Sequence, residues 1–230
     1  MQWTAFPIAT EPPRAVPILL AAVAGFVDAC TFLGLFGFFV AQVTGSYVLA
    51  GAHPVAGSPG ATVLLAVPVF FAGGVAATLA GIAGHAVARR ALAAALALET
   101  ALLIGFAATF AGSGLVGGPE TAPVVAASMF GLAAMGVQSA LVRLLMRGVA
   151  SSNVMTTNTS QIAIDATQLA WARLWGGLPL PLGFLAGTLV GAVAFASGGY
   201  LALVAPVIVV GGLTLWAARR PGTMRGPDQP

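Results

Sequence analysis

Residues 24–46 read AGFVDACTFLGLFGFFVAQVTGS. From Pro17 to Phe39 the chain is almost unbroken hydrocarbon, yet Asp28 stands near the middle of the run. A carboxylate at the centre of a bilayer costs about 2.5–3.5 kcal/mol on insertion scales, and such residues usually face the bundle interior or a wet cavity. The rest of the chain points to the same solvent. Of its 230 residues, 59% are hydrophobic and 7% charged, with 30 glycines and a mean hydropathy of +0.99. A soluble domain carries roughly 25% charged residues, so this surface cannot face water on all sides.

The net charge of +3 does not mark a nucleic-acid binder, because all nine basic residues are Arg and they are scattered in ones and twos. The lone Cys30 excludes an intrachain disulfide and a Cys-based metal site. It reads as a small apolar packing residue. His53 and His85 are distant in sequence and no His-x-x-x-His or Glu-x-x-His spacing occurs. With no Lys there is no phosphate-binding loop, and the sequence carries no cofactor motif.

A membrane-crossing helix needs about 20 apolar residues. Six segments qualify: 16–38, 61–88, 91–111, 122–142, 178–198 and 200–218. Two more, 40–52 and 149–175, are ambiguous. With six spans, Arg14, Arg89, Arg90, Arg143, Arg147, Arg173, Arg219, Arg220 and Arg225 all fall on one side. With eight, they split five against four and the usual cytoplasmic excess disappears. The reading is therefore an all-α protein of six spans, both termini cytoplasmic, in the plasma membrane. The two ambiguous segments become re-entrant, broken-helix or interfacial pieces, with breaks at 40–48 and 149–160.

Those two pieces are related. Gly25 and Gly37 are twelve apart, as are Gly136 and Gly148, and Gln42-Val43 after the second glycine matches Asn153-Val154. A hydroxyl-rich run follows each, Thr44-Gly45-Ser46 and Thr156-Thr157-Asn158-Thr159-Ser160. FFAGG at 70–74 then echoes FLAGT at 184–188, with the offset drifting from 111 to 114 residues. Each half is a span, a polar break and two more spans. Three is odd, so the second copy enters the membrane upside down, an arrangement found in many transporters. The expected organisation is a disordered 1–14, repeat one over 15–112, a loop at 113–121, repeat two over 122–219, and a disordered 220–230.

The residues GFVDACTFLGLFGFFVAQVTGS (25–46), AMGVQSALVRLL (134–145) and VMTTNTSQIAIDATQL (154–169) resemble the YoaK family of bacterial membrane proteins, a domain of unknown function. The likeness runs from about 15 to 219. Its most specific parts are Gly-x-x-Asp-Ala at 25–29, Val-Thr-Gly at 43–45 and Gly-x-Gln at 136–138. In the second half Val154-Met155-Thr156-Thr157 stands where the family usually shows a Val-Thr-Gly-like turn. The resemblance implies a bacterial inner-membrane protein, sometimes described as a candidate transporter. It supplies no reaction, substrate or catalytic residue.

Two acids fall inside spans, Asp28 and Glu99, with no Lys or Arg in a span to neutralise them. Each must be protonated, paired through a shared proton, bonded to hydroxyls, or hydrated. Asp28 is read as a proton-coupling group, or alternatively as a structural one that caps a backbone break and locks the first span to the fourth. Its repeat counterpart is Ser139, beside Gln138. Glu99 divides evenly between a functional role and a reach toward the Arg89-Arg90 interface. The expected solute path comprises Asp28, Gln42, Thr44, Gly45, Ser46, Glu99, Gln138, Ser139, Asn153, Thr156 and Thr157. Gly45 is expected at positive φ or a close approach. Residues 161–175, with Trp171 and Trp175, read as an interfacial amphipathic helix. Gly183-x-x-x-Gly187-x-x-x-Gly191 is a close-packing ridge expected to hold the bundle together, with homodimerisation through it left open. The function expected is a secondary transporter or channel for a small polar solute, proton-linked through Asp28, with a non-transporting assembly protein as the alternative. An intramembrane enzyme ranks third, because no His or Lys base sits mid-span.

Overall fold

A computed structural model describes residues 11–56, 60–83, 88–113, 118–146, 149–150, 152 and 155–219. Asn153 and the termini 1–10 and 220–230 lie outside the described residues. The long helices follow the hydrophobic runs: α1 (Ala15–Gly34), α3 (Ala61–Ala83), α4 (Ala88–Ser113), α5 (Ala122–Leu145), α8 (Pro179–Gly198) and α9 (Val204–Arg219). Shorter helices fill the ambiguous segments: α2 (Val43–Ala56), α6 (Met155–Thr167) and α7 (Trp171–Gly177). A 3₁₀ turn, Gly199–Leu203, separates α8 from α9. Four helices and the joined stretch Trp171–Arg219 are long and apolar enough to cross a membrane.

Chain ends obey local rules. Pro123 in the first turn of α5 costs that helix nothing, because early N–H groups have no intrahelical acceptor. After Gly34 the chain turns through Phe36 (φ 55°) and Gly37 (φ 80°), with the Gly37 N–H bonded to Phe32 O at 3.0 Å. Left-handed backbone is free for Gly37 and strained for Phe36. The first break therefore runs from Leu35 to Gln42, earlier than the expected 40–48. Gly45 is a helical residue of α2 with open space around it, so its expected positive φ is corrected to Phe36 and Gly37.

Contacts fix the helix directions. Gly34 at the end of α1 lies against Phe110 near the end of α4 and Phe195 near the end of α8. These three helices run the same way. The Ala61 N–H at the start of α3 donates to Glu120, just before α5, at 2.7 Å. Gln138, late in α5, reaches Leu20, early in α1. Thus α3 and α5 run opposite to α1. Residues 104–111 of α4 line a groove with residues 200–207, so α9 is antiparallel to α4. Ala15 and Arg219 consequently lie at the same end of the bundle.

Two helix pairs form the centre: α1 with α8, and α5 with α3. Both approach as closely as backbones allow. A Cβ built on Gly25 would collide with the carbonyl oxygen of Phe184, and one on Gly187 with that of Ala22. In the other pair a Cβ on Gly136 would collide with Phe70 O and one on Gly73 with Ala133 O. Small residues at such crossings permit dense van der Waals contact, the main cohesive force where lipid is as apolar as leucine. The ridge of Gly183, Gly187 and Gly191 is occupied by Ile18, Ala22 and Phe26 of α1 in the same chain. It packs within the bundle, the role expected of it. Helices α3, α8 and α9 also expose Phe71, Leu79, Leu189, Val193 and Ile208, as a lipid-facing surface requires.

Candidate functional site

Asp28 is buried at the height where the chain folds back after α1. Its Oδ1 accepts the N–H groups of Val40 at 2.9 Å and Ala41 at 2.7 Å. The Gln42 side chain lies beside the same carboxyl, while Oδ2 accepts no hydrogen bond. Asp28 precedes Gly34 by six residues, so the break dips about 9 Å back along α1 before α2 begins. Val40 then packs on Gly131 of α5. Two main-chain N–H groups stranded in an apolar interior would each cost several kcal/mol. A carboxylate satisfies both with charge-assisted bonds, which are about twice as strong as neutral ones. These bonds give the acid of the opening stretch a structural use.

The second half has an equivalent clamp. Gln138, fully buried on α5, donates through Nε2 to Leu20 O and to Ser152 Oγ, both at 3.0 Å. Ser152 lies in the break after α5, and Gln138 precedes the last residue of that helix by seven positions, about 10 Å. The clamp falls to Gln138, while its neighbour Ser139 is half-buried.

The remaining expected residues disperse. Ser46 is buried in α2, but Gln42 and Thr44 are exposed. Thr156 and Thr157 are exposed on α6. Glu99 is fully buried, and among the described residues neither of its oxygens has a hydrogen-bond partner. It occupies the buried stripe of α4 with Leu92, Leu96, Leu103 and Phe106. A groove of about 320 Å³ between α4 and the start of α9 is lined by apolar residues such as Ile104, Ala108 and Val204, with Tyr200 at its edge. None of the expected path residues lines it.

Sequence reasoning missed Asp165. It is buried on α6 and accepts from Arg173 Nε at 3.0 Å and Gln161 Nε2 at 3.1 Å, while Arg173 also reaches Gln168 Oε1. These bonds close the α6–α7 hairpin across Leu169 at φ 53° and leave Trp171 and Trp175 exposed. The signal was an acid and an arginine eight residues apart on either side of a turn.

Apolar helices of this length, bundled with their acids inside and their large aliphatics outside, are those of a multi-pass membrane protein. A family model described as "Protein of unknown function (DUF1275)" matches residues 16–216, and the chain belongs to that family. No curated protein and no solved structure matches.

Proposed function

We propose that this chain is a six-span inner-membrane protein of two inverted repeats that carries a small polar solute across the bilayer without chemical conversion. One observation carries the reading. Gly25 and Gly136 are 111 residues apart, as are Ala22 and Ala133; Phe70 and Phe184 are 114 apart, as are Gly73 and Gly187. These two glycine–carbonyl contacts in one helix pair therefore have their counterparts in the other with the repeats exchanged. The antiparallel run of α1 and α5 supports inversion. Folding back of 35–42 toward Asp28, and the bond from Gln138 to Ser152, support re-entrant breaks, which membranes tolerate where protein or a cavity surrounds them. Repeats of this kind with interrupted helices near mid-depth are the architecture of many secondary transporters. The arginine distribution supports cytoplasmic termini, and the resemblance to YoaK proteins supports a bacterial inner membrane.

The competing reading, a membrane assembly protein that transports nothing, draws on the Asp28 bonds to Val40 and Ala41, a purely structural use of the acid. Two experiments decide. Reporter fusions after Arg90, Arg147 and Arg225 should report cytoplasm, and fusions at Ala56 and Gly117 the outside; Arg90 and Arg225 on opposite sides would end the inverted-repeat model. Osmotic swelling of vesicles containing the purified protein, challenged with small polyols, amides and amino acids, should show accelerated entry of at least one class. Vesicles indistinguishable from empty ones across the series would leave the assembly reading in possession.

A further inference from the structure

The contacts set heights along the bundle. Taking Gly105 against Phe130 and Gly34 against Phe110, and counting about 1.5 Å per residue, Glu99 lies level with Val23 of α1 and Gly136 of α5. That is the height of the glycine crossings, where the two proposed repeats exchange. Beside it, the hydroxyls of Thr100 and Thr214 meet at 3.1 Å across α4 and α9. They are 114 residues apart, counterparts that touch each other, as residues on a two-fold axis do.

The same offset aligns the buried stripes of the two helices. Leu92, Leu96, Glu99 and Leu103 of α4 match Pro206, Val210, Leu213 and Ala217 of α9, all buried. Packing at this position is met by leucine in one half. The acid in the other half is thus not demanded by the fold. Among the described residues it also makes no hydrogen bond that would stabilise the fold, since neither carboxyl oxygen has a partner there.

Among the described residues no charged or titratable group hydrogen-bonds to it. Arg143 on α5 is exposed and lies seven residues, about 10 Å, from the Gly136 level. Arg219 ends α9, Arg89 and Arg90 open α4, and Tyr200 borders the groove at the far end of α4. Among its described residues α3 carries no charge. Asp28 of α1 is committed to Val40 and Ala41. An uncompensated carboxylate in such a place is costly, and a buried acid without a charge partner is neutralised by a proton instead.

We propose that Glu99 is an exchangeable proton-binding site at mid-depth of the bundle, and that Asp28 is the latch of the first break and not the coupling acid. The purpose of such a site rests on the transport reading above, but its occupancy does not. Infrared spectroscopy of the full chain in vesicles tests it. Wild-type protein and Asp28→Asn at neutral pH should show the C=O band of a protonated carboxyl that shifts on transfer to D₂O. Glu99→Gln and Glu99→Leu should lose that exchangeable band entirely, with Glu99→Leu melting at or above the wild-type temperature. Persistence of the band in Glu99→Gln, its failure to shift in D₂O in the wild type, or its loss on adding Na⁺ at constant pH would overturn the proposal. Collapse of Glu99→Leu would also overturn it, by making the acid structural. A wild-type band with the expected exchange but no solute entry supports the site and counts against transport alone.

Discussion

The two halves of the molecule agree where backbones touch and differ where side chains hold the breaks. At the crossings, Gly25 and Gly187 serve α1 and α8 as Gly136 and Gly73 serve α5 and α3. At the breaks, the first half uses a carboxylate that accepts two main-chain N–H groups, and the second a neutral amide that donates to a carbonyl and a hydroxyl. Contact between helix backbones admits one solution, the absence of a side chain. Satisfying a folded-back segment admits many, because the bilayer demands partners for polar groups and is indifferent to which residue supplies them. The halves also part at their last helices: α4 lies along α5, whereas α9 meets α1 lightly.

The largest effects test the agreement. Gly25→Leu, Gly187→Leu, Gly73→Leu and Gly136→Leu should each destabilise by about 3 kcal/mol or more, because a carbonyl oxygen cannot move aside as a side chain can. Monodisperse yield and melting temperature in detergent read this out. Tolerance in one pair and collapse in the other would break the equivalence.

Next comes the difference between the clamps. Asp28→Ala leaves two buried N–H groups unpaired and should cost about 3–5 kcal/mol, against about 1–2 for Gln138→Ala. Equal losses by thermal melting would mean that charge contributes nothing to the first break. Smaller again is the contrast between Gly37 and Gly45. Gly37→Val, at φ 80°, should lose about 1–2 kcal/mol, while Gly45→Val, helical and unobstructed, should match the wild type. The finest test is a double-mutant cycle of Thr100→Val and Thr214→Val, with an expected coupling of about 0.6 kcal/mol, the average for membrane hydrogen bonds.

The long apolar helices were legible because hydrophobic length acts over a whole segment at once, whereas the first break lies earlier than its hydroxyl-rich signal. The paired glycines were legible as an offset, and the structure adds which carbonyl each one meets. The clamp of Asp28 on Val40 and Ala41 was foreseeable only as a capping role, since sequence does not say which backbone groups a turn leaves open. Gln138 was recognised as polar, but its choice over Ser139 depends on which face of α5 meets α1. Positive φ was sought at Gly45 within a Thr-Gly-Ser signal, whereas the turn lies eight residues earlier and spends part of its strain on a phenylalanine. Asp165 and Arg173 escaped because their meeting needs the hairpin that they close.

The pairing of α1 with α8 has a consequence in time. The partner of Gly25 lies about 160 residues downstream, and that of Gly73 about 60. At about 5–20 residues per second, α1 waits roughly 8–30 s in the membrane for its neighbour, while α3 meets α5 in roughly 3–12 s. The α3–α5 pair is then the first fixed piece of the nascent protein. During that interval α1 carries its acid beside unfinished surroundings, and the bonds from Asp28 to Val40 and Ala41, made within its own neighbourhood, are available before any distant helix arrives.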